Sequence, residues 1–299
     1  MNRCVSGTRI AILHDARQPR IWQDNAMIAW IARRWAEAGY RVSHRYGPSE
    51  AVDADLLVVH VSVSVVPDRY LRFAEQFPAT VNLSLNDIRK RRISANLVTR
   101  DDGYEGPVIV KTDLNFGGVI EEAVGRGKVP PLSFIQRVRR YLKFKDPTAI
   151  RSPDSYLIYE TKKAVPDNVF DNLDLVAERF LPERHGSEYY HRRYLYFGDA
   201  EYNVVWAGNT PLNAFDDDGD RHWIEPVPPE LRTYRKQLGA DYGKIDYVIV
   251  DNRVEIFDVN RTPGGRVDVE DPVDAQHHRE TVDQLARGIT GFLPVSAHQ

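Results

Sequence analysis

Two short runs rich in β-branched and aromatic residues, KIDYVIV and VEIFDVN, stand near the end of the chain with only Asp-Asn-Arg between them. Such runs predict strands, and so short a connection predicts that they pair as an antiparallel hairpin. A three-residue loop at 251–253 places Asp246 directly opposite Asp258. The same register places Lys244 opposite Asn260. This hairpin fixes which side chains can meet on one face of a sheet.

The paired aspartates bear on chemistry because two carboxylates at about 5 Å between Cβ atoms repel each other unless a cation lies between them. Asp246, Asp258 and Asn260 offer hard oxygen ligands of the kind that hold Mg²⁺ together with phosphate. A two-residue turn would put the aspartates on opposite faces unless a bulge corrects the register. By itself the segment therefore fits a metal site and an ordinary polar sheet face equally well.

The first third of the chain alternates short apolar runs with segments of helical spacing. Residues 25–38 place apolar side chains three or four positions apart, and Gly39 ends that helix. A second helix is predicted to begin at Arg69. The strands around them are RIAIL, RVSHRY, ADLLVVHVSV and TVNLS, of which the third is apolar enough to be buried on both faces. The pattern predicts a small, mostly parallel α/β unit that ends near Asp87.

Beyond this unit the patterns change to paired strands with few helices between them. RYLYFGD and EYNVVWAG predict a hairpin with a tight turn near residues 198–200. Further strands are predicted at PVIVK and YLIYE, and helices at 134–142, at 229–238 and around 280–287. The whole chain therefore predicts a combination of α/β and α+β architecture.

Composition limits the class of protein. The chain has 299 residues, 42% hydrophobic and 28% charged, which fits a globular protein of two or three subdomains. A net charge of −3 gives no electrostatic reason to expect nucleic acid or an anionic membrane as a partner. The longest apolar stretch, residues 56–66, falls well short of the roughly 20 residues that span a bilayer. One cysteine, Cys4, excludes an intrachain disulfide framework and suits a reducing compartment, so we expect a cytoplasmic protein.

Two other segments carry weaker signals for a nucleotide. Lys111 ends an apolar strand and is followed closely by Gly117 and Gly118, whose backbone can approach a phosphate. The segment LVAERFLPE could line an adenine slot, with Glu178 accepting from the exocyclic amine and backbone groups of the next residues reading the ring edge. Taken singly, these segments also fit a strand end and a plain connection.

The order of these pieces resembles the ATP-grasp superfamily, in particular ligases of the D-alanine–D-alanine, glutathione synthetase and ribosomal-protein glutamate ligase type. The resemblance covers about residues 87–265. Its most specific part is the acidic-x-Asn-x-x-Pro-Gly motif, present here as DVNRTPG at 258–264. The resemblance implies an ATP-grasp fold with an N-terminal α/β subdomain (1–87), a central subdomain (88–181) and a C-terminal subdomain with the metal site (182–299).

Roles follow from the resemblance residue by residue. It implies that the ATP contacts are two lysines, two loop glycines, an adenine hinge and a ribose contact, namely Lys90, Lys111, Gly117, Gly118, Glu178, Phe180, Leu181 and Glu183. It implies Mg²⁺, with Mn²⁺ as an alternative, at Asp246, Asp258 and Asn260. Arg193 would steady the transferring phosphate, and Lys244 would be the basic residue beside the first metal aspartate. Which of Lys90, Arg91 and Arg92 contacts phosphate is left open.

The implied activity is a carboxylate–amine ligase that works through an acyl phosphate on small-molecule substrates. A kinase acting on a sugar or polyol hydroxyl would need the same ATP site, and a non-catalytic ATP-binding regulatory module is a further alternative. A homodimer is left open. For the substrate, the loop at His14 and Asp15 lies where open α/β sheets place ligands. Arg261 and Arg266 could hold a carboxylate, although each also fits a surface arginine.

Overall fold

The structure is a computed structural model that describes residues 7–18, 24–48, 52–118, 120–121, 156–212, 221–265 and 272–293. The helix predicted at 134–142 and the arginine at 266 lie outside these residues. Among the described helices, none is both long enough and apolar enough to cross a membrane.

The N-terminal unit is a four-stranded parallel sheet, as the alternating pattern predicts. Its strands lie in the order β2-β1-β3-β4. The strands are β1 (Arg9–His14), β2 (Arg41–Tyr46), β3 (Leu56–Val59) and β4 (Thr80–Val81), with helices α1 (Met27–Glu37) and α2 (Asp68–Ala74). All four residues of β3 are buried, as the apolar run predicts.

Strand β4 is shorter than the predicted TVNLS because Asn82 leaves the extended conformation, with φ of 64°. Asparagine tolerates this left-handed region better than most residues. The Asn82 carboxamide then bonds the backbone of a later segment: its oxygen accepts from the amides of Asp241 and Tyr242, and its nitrogen donates to the Tyr242 carbonyl at 2.7 Å. A strand end thereby becomes a connection to the C-terminal sheet.

A three-stranded antiparallel sheet forms the central part of the chain, in the order β6-β5-β7. Its strands are β5 (Val108–Thr112), β6 (Leu157–Tyr159) and β7 (Leu175–Arg179), and short helices α3 (Lys90–Ile93) and α4 (Asp167–Asp171) accompany them. The side chains of Val98, Val110 and Val169 belong to a hydrophobic core of this sheet's own.

The largest sheet is antiparallel, in the order β11-β10-β9-β12-β13, with a short strand paired to the end of β9. Its strands are β8 (Arg184–His185), β9 (Glu188–Phe197), β10 (Ala200–Gly208), β11 (Arg221–Ile224), β12 (Tyr242–Val250) and β13 (Arg253–Asn260). The predicted tight turn between β9 and β10 is confirmed. Gly198 occupies it with φ of 53°, where a Cβ would collide with the Gly288 carbonyl oxygen.

The two faces of this sheet bury different partners. On one face Phe197 and Tyr242 share a core with Ile10 and Trp35 of the N-terminal unit, and with Leu285 of helix α6 (Pro272–Ala286). Helix α6 begins earlier than the predicted residue 280. Apolar burial on this scale is the main favourable term in folding, so the N-terminal unit and the large sheet are stabilised together.

The opposite face packs on helix α5 (Pro229–Leu238), whose bounds match the prediction. Leu231 of α5 is fully buried there against Tyr196 and Ile245. Leu85 and Ile93 join the same core, so the chain just after the N-terminal unit also rests on the large sheet. The subdomain boundaries at residues 87 and 181 stay predictions.

Candidate functional site

The hairpin of β12 and β13 does not use the three-residue loop. Its turn has two residues, Asp251 and Asn252, with φ of 50° and 61°, and Val250 pairs with Arg253. Positive φ at both positions is the type I′ arrangement, whose twist matches that of the flanking strands. Of the two turns that the sequence left open, the two-residue turn is therefore the one that forms.

A β-bulge restores the predicted register at the site. The ladder shifts between Asp246 and Tyr247, so that Phe257 is the extra residue on β13. Beyond the bulge, Asp246 pairs with Asp258 and Lys244 pairs with Asn260, as predicted. The two carboxylates thus lie side by side on one face of the sheet.

The paired carboxylates are balanced by lysines on either side. Lys244 Nζ lies 2.7 Å from Asp246 Oδ2, and Lys90 Nζ lies 3.6 Å from Asp258 Oδ1. Burial raises the pKa of the Asp258 carboxyl, an effect that the charge of Lys90 opposes and that of Asp246 reinforces. Asp258 Oδ1 is buried and has no hydrogen-bond partner among the described residues. Within those residues, no group of three or more His, Cys, Asp and Glu is placed to hold a metal ion.

Helix α3 places Lys90 at this site and turns its neighbours away. Lys90 is buried, and its Nζ donates to the Leu114 carbonyl at 3.1 Å. Arg91 pairs instead with Asp113, at 2.7 Å, and Arg92 is exposed. Burial lowers the pKa of Lys90, but the negative charges around it, that of Asp258 foremost, raise it by more, so that the lysine stays charged.

Lys111 and Glu178 meet across neighbouring strands of the central sheet. Lys111 Nζ lies 2.6 Å from Glu178 Oε2, and the carboxylate is fully buried. The same ammonium lies 5.2 Å from the centre of the Phe257 ring, the residue at the bulge. The lysine and glutamate predicted as separate nucleotide contacts therefore form one ion pair here, and that pair lies against the β12–β13 hairpin.

The remaining nucleotide contacts were predicted in two loops. The segment Asn115–Gly118 forms one 3-10 turn, in which Gly117 and Gly118 have φ of 67° and 75°. These angles favour glycine, which is why the loop needs both. In the predicted adenine hinge, the Phe180 amide donates to the Pro107 carbonyl at 2.8 Å, and Leu181 is the second residue after the end of β7.

Glu183 is held by protein groups. Its two carboxylate oxygens accept from Nε and Nη2 of Arg192, both at 2.8 Å, and one of them also accepts from the Ile249 amide at 2.7 Å. Both side chains are almost completely buried. The arrangement joins the segment after β7 to two strands of the large sheet.

Arg193 lies on β9 directly opposite Asp246 of β12. Paired residues in an antiparallel ladder point to the same face, so the guanidinium shares the face of the two aspartates. Its Cζ lies 5.3 Å from the centre of the Trp206 ring, within the range of a cation–π contact. Sequence reasoning missed Trp206, since only the register of β10 reveals that it neighbours this arginine.

Arg261 fits neither interpretation that the sequence offered, a substrate contact or a surface arginine. It is fully buried, and its guanidinium donates to the backbone carbonyls of Val61, Val63 and Leu85. Burial lowers its pKa to about 10. Arg261 thus anchors the end of β13 to the N-terminal unit, and its guanidinium is inaccessible to a substrate.

Comparisons with known proteins were made with the whole chain. No protein-family model matches it, and no curated protein matches it. Solved structures do match across almost the whole chain. They include ATP-grasp proteins. The mixed α/β and α+β fold class predicted from the sequence agrees with the parallel and antiparallel sheets described above, and the ATP-grasp resemblance stays a prediction.

Three of these structures illustrate the likeness. An ATP-grasp RimK domain protein from Sphaerobacter thermophilus is 12% identical, with a TM-score of 0.47 over 95% of this chain and 100% of that one. The D-alanine–D-alanine ligase of Bacillus anthracis, complexed with ATP, is 12% identical, with a TM-score of 0.45 over 95% of this chain and 98% of that one. A RiPP-associated ATP-grasp ligase from Chryseobacterium gregarium, in complex with ADP and a leader and core peptide, is 12% identical. Its TM-score is 0.45 over 96% of this chain and 98% of that one.

Proposed function

We propose that this chain is an ATP-dependent ligase that joins a carboxylate to an amine through an acyl phosphate. The observation that carries the proposal is the face-to-face pair of Asp246 and Asp258, flanked by Lys90 on one side and Arg193 on the other. Two acidic groups held against each other between fixed cations are suited to a ligand that brings both a divalent cation and phosphate oxygens.

The side chains present fit Mg²⁺, and Mn²⁺ by the same chemistry. Asp246 and Asp258 supply carboxylate oxygens, and the buried Oδ1 of Asp258 lacks a hydrogen-bond partner within the described part of the chain. Asn260 Oδ1 accepts from the Thr262 amide at 2.8 Å and has only a long contact, 3.5 Å, with the Thr262 hydroxyl, which a cation would displace. Mg²⁺ in proteins uses one or two carboxylates and completes its shell with water and phosphate oxygens. When bound, it would neutralise charge on the phosphates.

The nucleotide would lie between the central sheet and the β12–β13 hairpin. Lys90 and Lys111 both project into this space, one toward Asp258 and the other toward Phe257. Phosphates would draw Lys111 away from Glu178, and the freed carboxylate could then accept from the adenine amine. Gly117 and Gly118 have positive φ and carry no side chain, so phosphate oxygens would be able to approach their backbone N–H groups closely.

The reaction needs little covalent chemistry from the protein. A carboxylate oxygen of the acid attacks the γ-phosphorus, the bond to the ADP oxygen breaks, and an acyl phosphate forms. The amine nitrogen then attacks the acyl carbon, inorganic phosphate leaves, and the nitrogen loses a proton. Arg193 and Lys111 would stabilise the charge that gathers on the transferred group, an effect strongest where water is excluded.

The test uses the purified full-length protein with ATP, Mg²⁺ and pools of carboxylates and amines. We expect ADP, phosphate and a new amide mass to form in equal amounts. ADP with a phosphorylated hydroxyl product would overturn the ligase in favour of a kinase. Tight nucleotide binding without turnover in any pool would favour a regulatory module. Asp258→Asn serves as the variant that removes turnover, and Asp251→Asn in the turn is its matched control.

A further inference from the structure

One serine hydroxyl of the N-terminal unit holds both ends of the glycine turn, Asn115–Gly118. Ser64 follows β3 and is fully buried. Its Oγ accepts from the Asn115 amide at 2.8 Å, at the first residue of the turn. The same Oγ donates to Glu121 Oε1 at 2.5 Å, just beyond Gly118. We call Ser64, Asn115 and Glu121 the turn clamp.

The backbone of Ser64 strengthens the far end of the clamp. Its amide donates to Glu121 Oε1 at 2.6 Å, so this oxygen receives two donors from one residue. Glu121 Oε2 is buried and has no hydrogen-bond partner in the described part of the chain. Ser64 is therefore the residue that fixes this carboxylate within the described structure.

Ser64 is itself fixed on its other side. Its carbonyl accepts from the Ile88 amide at 2.9 Å and lies 3.5 Å from Arg261 Nη2. Ile88 leads into helix α3, which carries Lys90, and Arg261 follows β13. Val63, the residue before Ser64, is buried in the core of the N-terminal unit. The clamp thus starts from a point that cannot shift without disturbing that core.

The glycine turn follows β5 of the three-stranded sheet in sequence, yet its contacts attach it to the N-terminal unit. Ile120, just beyond the turn, packs against the core that Leu57 and Tyr70 form there. Gly117 and Gly118 lie between the two fixed ends, both with positive φ. Glycine loses more conformational freedom on ordering than any other residue. Fixing both ends lowers the number of conformations that this pair can adopt.

We infer that Ser64 is a positioning residue for the nucleotide, because it holds the glycine turn in the conformation that receives the phosphates. The inference rests on the proposed function, since it takes phosphate to be the ligand of the turn. A turn that is ordered before its ligand arrives loses less freedom on binding, and the affinity is higher for that reason. The N-terminal unit would thereby contribute to nucleotide binding through the turn.

The test makes two measurements on the full chain. Hydrogen–deuterium exchange of the peptide spanning 113–118, without nucleotide, reports the order of the turn. Titration with a non-hydrolysable ATP analogue and Mg²⁺ reports binding. Ser64→Ala removes the hydroxyl of the clamp. Ser62→Ala is the matched control, because its buried hydroxyl donates to Gln18 Oε1 at 2.5 Å and not to the turn.

We expect Ser64→Ala to speed exchange in this peptide by about 10-fold and to weaken the ATP analogue by about 5- to 10-fold. Ser62→Ala should change neither value by more than about 2-fold. Urea unfolding of the same samples shows whether exchange quickens in the turn alone or throughout the chain.

Equal effects of the two variants, or faster exchange in Ser64→Ala at unchanged affinity for the ATP analogue, would overturn the inference alone. No binding of the analogue by the wild-type chain would overturn the proposed function and the inference with it. If Ser64→Ala loses its fold by circular dichroism, Glu121→Ala gives the same decision, because it removes the acceptor at the far end of the clamp from a partly exposed position.

Discussion

Asp246 and Asp258 face each other only because the bulge at Phe257 reverses the register that the two-residue turn sets. Without that extra residue in β13, Asp258 would pair with Ile245 and point to the other face. The geometry of the candidate metal site therefore depends on a local irregularity at Phe257, well beyond the turn at Asp251 and Asn252. Bulges near functional sites commonly redirect a side chain in this way.

Asp258→Asn tests the carboxylate pair directly. We expect it to reduce Mg²⁺-dependent ATP turnover by about 100- to 1000-fold, because a neutral amide cannot offset a divalent cation beside phosphate. Asp258→Glu should retain most of the turnover. The rate is measured against Mg²⁺ concentration, with Asp251→Asn as the control. Unchanged Mg²⁺ dependence in Asp258→Asn would remove the metal assignment.

Lys90→Met distinguishes among the basic residues of α3. Lys90 is the one whose ammonium lies near Asp258, so its loss should lower kcat/KM for ATP by about 100-fold. Arg92→Met changes an exposed residue of the same short helix and should leave the rate within about 2-fold. Steady-state kinetics at saturating Mg²⁺ give the comparison. A larger loss of kcat/KM in Arg92→Met than in Lys90→Met would show that Arg92, and not Lys90, contacts the phosphates.

Glu183→Gln separates a structural role from a ribose contact. The variant leaves Arg192 buried with one charged partner fewer, which should lower the free energy of unfolding by about 3 kcal/mol. We expect KM for ATP to change by less than about 2-fold, since protein groups already occupy both oxygens. Urea unfolding and kinetics are compared in the same preparation. A selective rise in KM at unchanged stability would restore the ribose role.

Arg261→Met should destabilise the chain by about 3–5 kcal/mol, because it leaves several buried carbonyls without a donor. Arg253→Met is the matched control, since Arg253 is exposed at the start of β13. Urea denaturation gives both values. Equal midpoints for the two variants would show that the buried guanidinium is not stabilising.

Stability should fall as pH drops below about 6.5. Burial, reinforced by the charge of His44, lowers the pKa of His14 to about 3, and burial keeps that of His60 well below its usual value. In the unfolded chain both histidines take up protons near pH 6.5, so the unfolded state binds more protons and folding weakens. Each contributes a slope of about 1.4 kcal/mol per pH unit between that value and its folded pKa.

His14→Phe keeps a buried ring and removes one of these titrations, so its stability should depend less steeply on pH between 6.5 and 5. His185→Gln, at a half-exposed position, is the control. Urea unfolding at three pH values in this window gives the slopes. A slope in His14→Phe equal to that of the control would contradict the assignment.

Local patterns in the sequence predict local structure well here. The parallel N-terminal unit, the turn at Gly198, helix α5 and the pairing of Asp246 with Asp258 all follow from periodicity and short-range register. The sequence left the two-residue and the three-residue turn open, because a compensating bulge leaves no signature in the pattern of apolar residues. The observed pairing of Asp246 with Asp258 results from the two-residue turn and the bulge together.

Contacts between segments far apart in the chain were beyond the sequence. Nothing in the RTPGG segment shows that Arg261 finds its acceptors some 200 residues earlier. Nor does a strand-end lysine reveal that Glu178 lies 2.6 Å away on the next strand. Such partners are set by the packing of whole sheets, whereas the periodicity of a strand reports only which face it buries.

The separate cores have a consequence for motion. The N-terminal unit and the large sheet share one hydrophobic core and are further joined by Asn82 and Arg261, whereas the three-stranded sheet has a core of its own. Relative movement that leaves every core intact is the least costly kind. We therefore expect the N-terminal unit and the large sheet to move as one rigid body. The three-stranded sheet, which carries Lys111 and Glu178, would rotate relative to them and so open and close the space beside the β12–β13 hairpin.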